Sequence, residues 1–301
     1  MKKNLFLPLL LITILLSSCT KPVKHDVVTT LFIQYDIVRT IAEDKLTYTM
    51  LMPPGVDAHE FEPSSKQIIE IESSKVFFYT SLEMDPWVKK LDKGNSTFID
   101  LSLSNVFESK HVETTIENTH DHDENLHYWT VIENQIGMID LILAELIKIN
   151  PLETNFFTDN ATTLKNELQD IKTELLNLPD TDTPLYYVGH NIFSLFNEEM
   201  HLNIISLTDA FTTEVNPTSN DIMLMINQIK NNQSKIFYFD QFEGLNTATS
   251  IESDLKASNY SITKKPLHSM HNVSKDQFNN GITLLDLWKE NVINIKLAYE
   301  V

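Results

Sequence analysis

Cysteine, arginine and glycine are all scarce in this chain of 301 residues, and each shortage narrows the possible chemistry. Cysteine occurs once, at Cys19, so the chain can form neither an internal disulfide nor a metal site made of several thiolates. Arginine also occurs once, at Arg39, which argues against a site for bidentate recognition of phosphate or carboxylate. The six glycines form no glycine-rich phosphate loop and no dinucleotide-binding fingerprint. The sequence therefore gives no sign of a phosphate or dinucleotide site of these two types.

Positive charge is scarce as well. The chain has 23 lysines and arginines against 42 acidic residues, a formal net charge of −19 at pH 7 with neutral histidine. Such an acidic chain is a poor partner for nucleic acid or other polyanions, and we expect a cation as its ligand. Otherwise the composition is that of a globular protein, with 42% hydrophobic and 22% charged residues. There is enough apolar material for two cores of roughly 120 to 150 residues each.

The first 19 residues differ from the rest of the chain. Lys2 and Lys3 precede an apolar run from Leu5 to Leu16, which is shorter than the roughly 20 residues of a membrane-spanning helix. The sequence Leu16-Ser17-Ser18-Cys19 follows and resembles a bacterial lipobox, which implies cleavage before Cys19 and lipidation of its sulfur. A simple signal peptide with an incidental cysteine is the alternative. With Cys19 lipidated, any metal site must use histidine, aspartate or glutamate.

Short apolar runs alternate with helical patterns in both halves of the chain, which predicts an α/β fold with parallel strands flanked by helices. Between the halves lies the longest helical signal, from Thr154 to Leu178, which we interpret as a strut that packs on both lobes. A coiled coil is a weaker interpretation. The predicted organisation is a signal peptide, a lipid-anchored tether, an N-terminal lobe, a linking helix and a C-terminal lobe, at residues 1–18, 19–26, 27–151, 152–179 and 180–301 respectively.

Four histidine positions fall where loops would face a cleft between two such lobes. His59 lies in a loop stiffened by Pro53, Pro54 and Pro63. His127 ends a polar segment, and His190 directly follows a strand, at the end where open α/β sheets bind ligands. The fourth position is either His268 or His271. Neutral imidazoles around a tetrahedral centre favour Zn²⁺ over Mg²⁺ and Ca²⁺, although spacing alone leaves clustering undecided.

Several motifs together resemble the metal-binding lipoproteins of bacterial ABC importers, the cluster A-I solute-binding proteins for zinc and manganese. The resemblance covers Val27 to the C-terminus and is carried by Pro53 to Pro63, Leu82 to Trp87, His127-Tyr128-Trp129, Gly189-His190-Asn191, Glu214 to Pro217 and Gly281 to Asn291. It implies two lobes, each a small parallel sheet with flanking helices, joined by one long rigid helix.

The resemblance also implies the ligands. By position, His59, His127 and His190 are the first three, and a histidine at the third position favours Zn²⁺, because manganese-selecting relatives tend to have glutamate there and aspartate at the fourth. For the fourth ligand we prefer His271 over His268, which a different alignment selects. Glu60 and Asp57 are expected to hydrogen-bond the ligands. The polar segment before His127 resembles a shortened His-rich auxiliary loop, although a solvated polar loop is an equally good interpretation. Its histidines are His111, His120 and His122.

The resemblance implies a monomeric, non-enzymatic protein on the extracytoplasmic face of the cell membrane. It would capture a divalent metal, Zn²⁺ in preference to Mn²⁺ or Fe²⁺, and deliver it to an ABC permease and its ATPase. One alternative is a surface adhesin with a structural metal. Another is a zinc hydrolase with three histidine ligands and an open water position. The sequence His59-Glu60-Phe61-Glu62-Pro63 argues against a hydrolase of the His-Glu-x-x-His type, because proline stands in place of the second histidine.

Overall fold

Two parallel sheets of four strands organise the part of the chain that the structure describes. The computed structural model describes residues 24–58, 61–104, 126–179, 182–210, 217–242 and 244–300. The strands of the first sheet pair in the order β2-β1-β3-β4 and are β1 (Val27–Thr29), β2 (Tyr48–Met50), β3 (Val76–Tyr79) and β4 (Thr97–Asp100). Those of the second sheet pair in the order β6-β5-β7-β8 and are β5 (Leu185–Val188), β6 (Ile204–Ser206), β7 (Ile236–Phe239) and β8 (Thr263–Pro266).

The two sheets have the same topology. In each sheet the first strand pairs on both sides, with Val27 opposite Tyr48 and Val76 in the first and Tyr187 opposite Ser206 and Tyr238 in the second. The strand order therefore reverses beside β1 and beside β5. Loops that leave the carboxyl ends of the strands diverge at such a point and open a crevice for a ligand. The predicted pair of parallel sheets is confirmed.

Helices connect the parallel strands and join the two sheets. They are α1 (Phe32–Ala42), α2 (Ser65–Ser73), α3 (Ile132–Ile149), α4 (Thr154–Leu176), α5 (Ser194–Met200), α6 (Ser219–Asn231), α7 (Leu245–Ala257), α8 (Lys275–Asn279) and α9 (Leu284–Lys296). Several begin with a capping box that the sequence displays. In α9, for example, the Thr283 hydroxyl accepts from the Asp286 amide while the Asp286 carboxylate accepts from the Thr283 amide. Within the described residues, no helix is both long and apolar enough to cross a membrane.

The linking helix α4 spans 23 residues and ends at Leu176, two residues before the predicted end. Its buried stripe includes Ala161, Leu164 and Leu168, as the periodicity predicts. It contacts α1 and α3 on the side of the first sheet and α5 and α9 on the side of the second. A helix held along its length on both sides resists bending, so α4 is a rigid connection between the lobes.

The main hydrophobic core is shared by the two lobes, which differs from the two separate cores expected from composition. One contiguous cluster of buried apolar side chains includes Trp129 from the first half, Phe157 from α4, and Phe196 and Trp288 from the second half. The smaller clusters lie at Val28, Phe77 and neighbours and at Tyr186, Phe237 and neighbours. The core is shared because α4 and α9 bury apolar faces that contact both lobes.

The single arginine has a structural role in this arrangement. Arg39 in α1 pairs with the buried Asp36 and donates to the carbonyl of Ile282 at 2.5 Å. Asp36 in turn accepts the amide of Leu284, the first residue of α9, at 2.6 Å. Burial raises the pKa of Asp36, although the Arg39 guanidinium opposes the shift. The arginine therefore fastens the C-terminal helix to the first lobe.

A buried carboxylate after β3 makes the stability of the first lobe depend on pH. Asp85 accepts the Thr80 amide at 2.7 Å, and burial raises its pKa from 3.8 to about 7. Because the pKa is higher in the folded than in the unfolded state, the stabilising contribution of protonated Asp85 is complete below about pH 4 and is lost as the pH rises through 7.

Asp85→Asn should not lose this contribution, because an asparagine does not ionise. We therefore expect the free energy of unfolding of Asp85→Asn, relative to that of the wild type, to rise by about 2–3 kcal/mol from pH 5 to pH 8. Urea unfolding of both proteins at the two pH values measures this, and a difference independent of pH would contradict it.

Candidate metal centre between the lobes

Two buried histidines, one from each half of the chain, meet between the lobes. The Nε2 atoms of His127 and His190 lie 3.2 Å apart, and their ring centroids are 4.9 Å apart. Each side chain belongs to a residue that is 3% exposed. The two Nε2 atoms are within hydrogen-bonding distance, and the tautomers of the rings decide which of them donates. This pair is the geometric centre of the candidate site.

Local structure holds His127 at the start of a short 3₁₀ turn, Tyr128–Thr130, that leads into α3. The carbonyl of His127 accepts from both the amide and the hydroxyl of Thr130, at 3.0 and 2.9 Å. The ring of Trp129 packs edge-on against the imidazole, with centroids 5.2 Å apart, and its indole N–H donates to the carbonyl of Ser269 at 3.0 Å. His127 is thus placed by its own turn and by a hydrogen bond that crosses to the second lobe.

His190 follows β5 at the carboxyl edge of the second sheet. The glycine before it is needed there, because a Cβ atom at Gly189 would lie 2.6 Å from the ring of Tyr187. After the histidine, the Asn191 amide donates to the carbonyl of Ala210 at 2.7 Å, and the Ile192 amide donates to the carbonyl of His190 at 2.8 Å. The motif Gly-His-Asn therefore has a physical basis, since the glycine leaves room for the Tyr187 ring and the backbone amide of Asn191 anchors the segment after the histidine.

The two candidates for the fourth ligand have different surroundings, and both are buried. His271 lies beside Phe242, with ring centroids 5.8 Å apart, and its Nδ1 is 2.5 Å from the hydroxyl of Ser269. The imidazole of His268 instead faces α9, with its Nε2 3.0 Å from a carboxylate oxygen of Glu290. The hydrogen bond from His268 is the main cause of the lowered pKa of Glu290. His268 thus has its Nε2 engaged by a carboxylate, whereas the contact of His271 is through Nδ1.

The segment that carries His271 is attached to the first lobe. The side-chain amide of Asn272 donates to the carbonyls of Pro53 and Val56, at 3.0 and 2.7 Å. The amide of Gly55 donates to the carbonyl of Val273 at 2.9 Å, so the contact runs in both directions. These hydrogen bonds join the segment from Pro53 to Val56, which precedes His59 in the sequence, to the segment of His271.

Other predicted site residues fall outside the described ranges. These are His59, Glu60, His111, His120, His122 and Cys19. Asp57 is described and half-buried, and its predicted hydrogen bond to a ligand stays a prediction. Among the described residues, no group of three or more histidine, cysteine or acidic side chains is arranged to hold a metal. The described part of the site is thus the pair His127 and His190, with His271 beside Ser269.

Two polar residues of this site are not among the predicted site residues. Asp240, 2% exposed, directly follows β7, and Ser269 lies between the two candidate histidines. The hydroxyl of Ser269 donates to a carboxylate oxygen of Asp240 at 2.7 Å. The rule that selected His190, a polar residue at the carboxyl end of a strand, would also have selected Asp240. Nothing in the sequence pattern singles out Ser269.

Comparison with known proteins identifies the family. A family model described as zinc-uptake complex component A, periplasmic (ZnuA) matches residues 27–298. The chain belongs to this family. The ZnuA family is a family of metal-binding components of uptake systems and is not a family of enzymes. The predicted family, with its zinc-binding and solute-binding role, is thereby confirmed.

Relatives and solved structures of the ZnuA family resemble the chain over most of its length. The high-affinity zinc uptake system protein ZnuA of Bacillus subtilis is 23% identical over 290 residues, which cover 93% of this chain and 89% of the relative. The zinc-binding protein AdcA of Streptococcus pyogenes is 24% identical over 297 residues, and the match covers 92% of this chain but 56% of AdcA. The Zn(II)-bound ZnuA-like domain of Streptococcus pneumoniae AdcA superposes with a TM-score of 0.72 at 18% identity, covering 93% of this chain and all of that domain. The structural likeness confirms the two-lobed fold.

Proposed function

We propose that this protein captures Zn²⁺ between its two lobes and delivers it to an ABC permease and its ATPase. In this proposal it acts as a monomer without catalysing a reaction, held by a lipid on Cys19 at the extracytoplasmic face of the membrane. The ligands are His59, His127, His190 and His271. Mn²⁺ and Fe²⁺ bind the same site more weakly than Zn²⁺, because nitrogen ligands have a higher affinity for Zn²⁺ in the usual order of divalent metals.

The observation that carries the proposal is the pair of nitrogens from opposite lobes. Zinc bonds to imidazole nitrogen at about 2.0–2.1 Å, so two nitrogens on a tetrahedral zinc are about 3.3 Å apart. The Nε2 atoms of His127 and His190 are 3.2 Å apart. A zinc ion can replace the hydrogen bond between these rings with little movement of either lobe, once the shared proton leaves. The site is therefore close to its bound geometry.

Zinc binding should weaken in acid. An imidazole must be neutral to bind metal, and its ordinary pKa is about 6.5. We expect isothermal titration calorimetry of the full chain in detergent to show one tight Zn²⁺ site at pH 7.5. The affinity should fall by up to about tenfold per pH unit below pH 6.5 for each histidine that must lose a proton. Equal affinity at pH 7.5 and pH 5.5 would contradict a site made of imidazoles, and excess Ca²⁺ serves as a control that should not compete.

X-ray absorption of the zinc-loaded chain separates transport from catalysis. Four protein nitrogens around the metal support a closed binding site, whereas three nitrogens and an exchangeable water favour the hydrolase alternative.

For the adhesin alternative, the relevant measurement is zinc uptake by a zinc-starved strain that lacks this protein. Restoration of uptake by the wild type, and its absence with His190→Ala, supports delivery of the metal to a permease.

A further inference from the structure

Asp240 is a buried carboxylate that accepts hydrogen bonds on both oxygens. Its Oδ1 accepts the Phe242 amide at 2.8 Å. Its Oδ2 accepts the Ser269 amide at 3.2 Å and the Ser269 hydroxyl at 2.7 Å. An ionised carboxylate has acceptors alone, so every partner of Asp240 must be a donor. The direction of the hydrogen bond from Ser269 is therefore set.

This direction decides where the proton of His271 resides. A serine hydroxyl has one proton, and that of Ser269 is used by Asp240. The contact of 2.5 Å between Ser269 Oγ and His271 Nδ1 then requires that Nδ1–H donates to the hydroxyl oxygen. The neutral imidazole of His271 accordingly carries its proton on Nδ1 and its lone pair on Nε2.

We propose that Asp240 and Ser269 are positioning residues that hold His271 as the Nδ1–H tautomer, with Nε2 presented to Zn²⁺ as the fourth ligand. This inference rests on the proposed zinc-binding function. A metal-bound imidazole commonly donates its other N–H to a carboxylate, a backbone carbonyl or a water molecule, and this hydrogen bond fixes the ring and increases its basicity. Here the serine hydroxyl relays the effect of the carboxylate. The buried negative charge also compensates the positive charge that His271 acquires on binding the cation.

His268 lacks this arrangement. Its Nε2 faces the carboxylate of Glu290 at 3.0 Å, and its backbone is held on both sides by the side chain of Asn291, at 2.7 and 2.9 Å. To bind zinc through Nε2, His268 would have to leave Glu290. The hydrogen bonds therefore favour His271 over His268 as the fourth ligand.

Replacing Asp240 with asparagine should weaken the relay. An asparagine has one acceptor oxygen, so in either orientation its NH₂ group faces a backbone amide, that of Phe242 or that of Ser269. Without the charged acceptor, the Ser269 hydroxyl is no longer tied to residue 240 and can donate to Nδ1 of His271, which moves the proton of the imidazole to Nε2. That tautomer has no lone pair to offer to the metal at Nε2. Ser269→Ala removes the relay without imposing the wrong tautomer.

The test has two readouts, one of which needs no metal. In ¹⁵N-histidine NMR of the zinc-free full chain, with the His271 signals assigned through His271→Ala, we expect the Nδ1–H tautomer in the wild type and a larger fraction of the Nε2–H tautomer in Asp240→Asn. By calorimetry, we expect both Asp240→Asn and Ser269→Ala to bind Zn²⁺ 10–100-fold more weakly than the wild type. An Nε2–H tautomer in the wild type, or unchanged zinc affinity in Ser269→Ala, would overturn the proposal.

A matched control guards against a purely structural effect. Ser74, 1% exposed like Ser269, is a buried serine of the first lobe whose hydroxyl bonds the carbonyl of Ile71 and the hydroxyl of Ser96. Ser74→Ala should cost similar stability and leave zinc affinity unchanged. If Asp240→Asn does not fold, the wild-type tautomer and Ser269→Ala decide the question. Failure of the wild type to bind zinc would instead contradict the proposed function. The tautomer measurement uses the zinc-free chain and is independent of that result.

Discussion

We expect His190→Ala to lower the affinity for Zn²⁺ by more than 100-fold. Residues that merely hydrogen-bond a metal ligand change affinity by about 10–100-fold, so loss of a ligand should exceed that range. His190 is placed by Gly189 and the Asn191 amide, and its Nε2 faces that of His127 across the lobes. Alanine leaves a buried space with no donor to replace the imidazole. Calorimetry or competition with a zinc chelator of known affinity measures the loss.

Two comparisons sharpen this prediction. His201→Asn is a matched control in the same lobe, because His201 is exposed, ends α5 with φ of 52°, and asparagine tolerates that left-handed conformation. It should bind zinc like the wild type. His271→Ala and His268→Ala form the second comparison, in which we expect the larger loss for His271→Ala. Wild-type zinc affinity in His190→Ala would reject the assignment of the site.

The second large effect is expected on stability, at a charge cluster that joins both lobes to the linking helix. Glu199 of α5 is buried and accepts the amides of Ile132 and Glu133, the first residues of α3, at 2.9 and 3.0 Å. Lys172 of α4 lies 3.0 Å from the same carboxylate. Burial lowers the pKa of Lys172, but the hydrogen bonds to Glu133 and Glu199 outweigh it and the net pKa is raised. The lysine therefore stays charged throughout the physiological pH range.

Glu199→Ala should destabilise the protein by about 3 kcal/mol, because it leaves helix N-terminal amides without their acceptor and removes one partner of a buried ion pair. Urea unfolding at pH 7 measures the loss. Glu167→Ala, an exposed glutamate of α4, is the control and should change stability by less than about 0.5 kcal/mol. A similar small effect for Glu199→Ala would show that the cluster does not stabilise the contact between the lobes.

Much of the fold could be predicted because apolar periodicity is a local signal. The stripe of α4 and the short strands β3, β5 and β7 stand out in the sequence, since each buries a regular set of apolar side chains. Strand β8 does not stand out in this way, because Thr263-Lys264-Lys265-Pro266 has two lysines and a proline and little β propensity. It is a strand because it pairs with β7 at the edge of the sheet, where proline and lysine are tolerated.

The site was predictable to a different extent. His190 could be found from its place after a strand, and His127 through the family resemblance. Asp240 and Ser269 could not be recognised as partners of His271, since their contact exists because β7 and β8 are neighbours in the sheet. The same limitation explains why the sequence left His268 and His271 as alternatives. They are three residues apart in one loop, and only their neighbours from β7 and α9 distinguish them.

By itself, the sequence determined the class of this protein: an acidic, two-lobed α/β chain with a single cysteine, so that any metal site requires imidazole or carboxylate ligands. Only the tertiary structure decided how those groups meet. Parallel strands place His190, Asp240 and the segment of His271 at one edge, and the packing of the two lobes brings His127 to 3.2 Å from His190. The physical reason is that apolar periodicity acts over a few residues, whereas the direction of a hydrogen bond such as that from Ser269 to Asp240 depends on groups far apart in the chain.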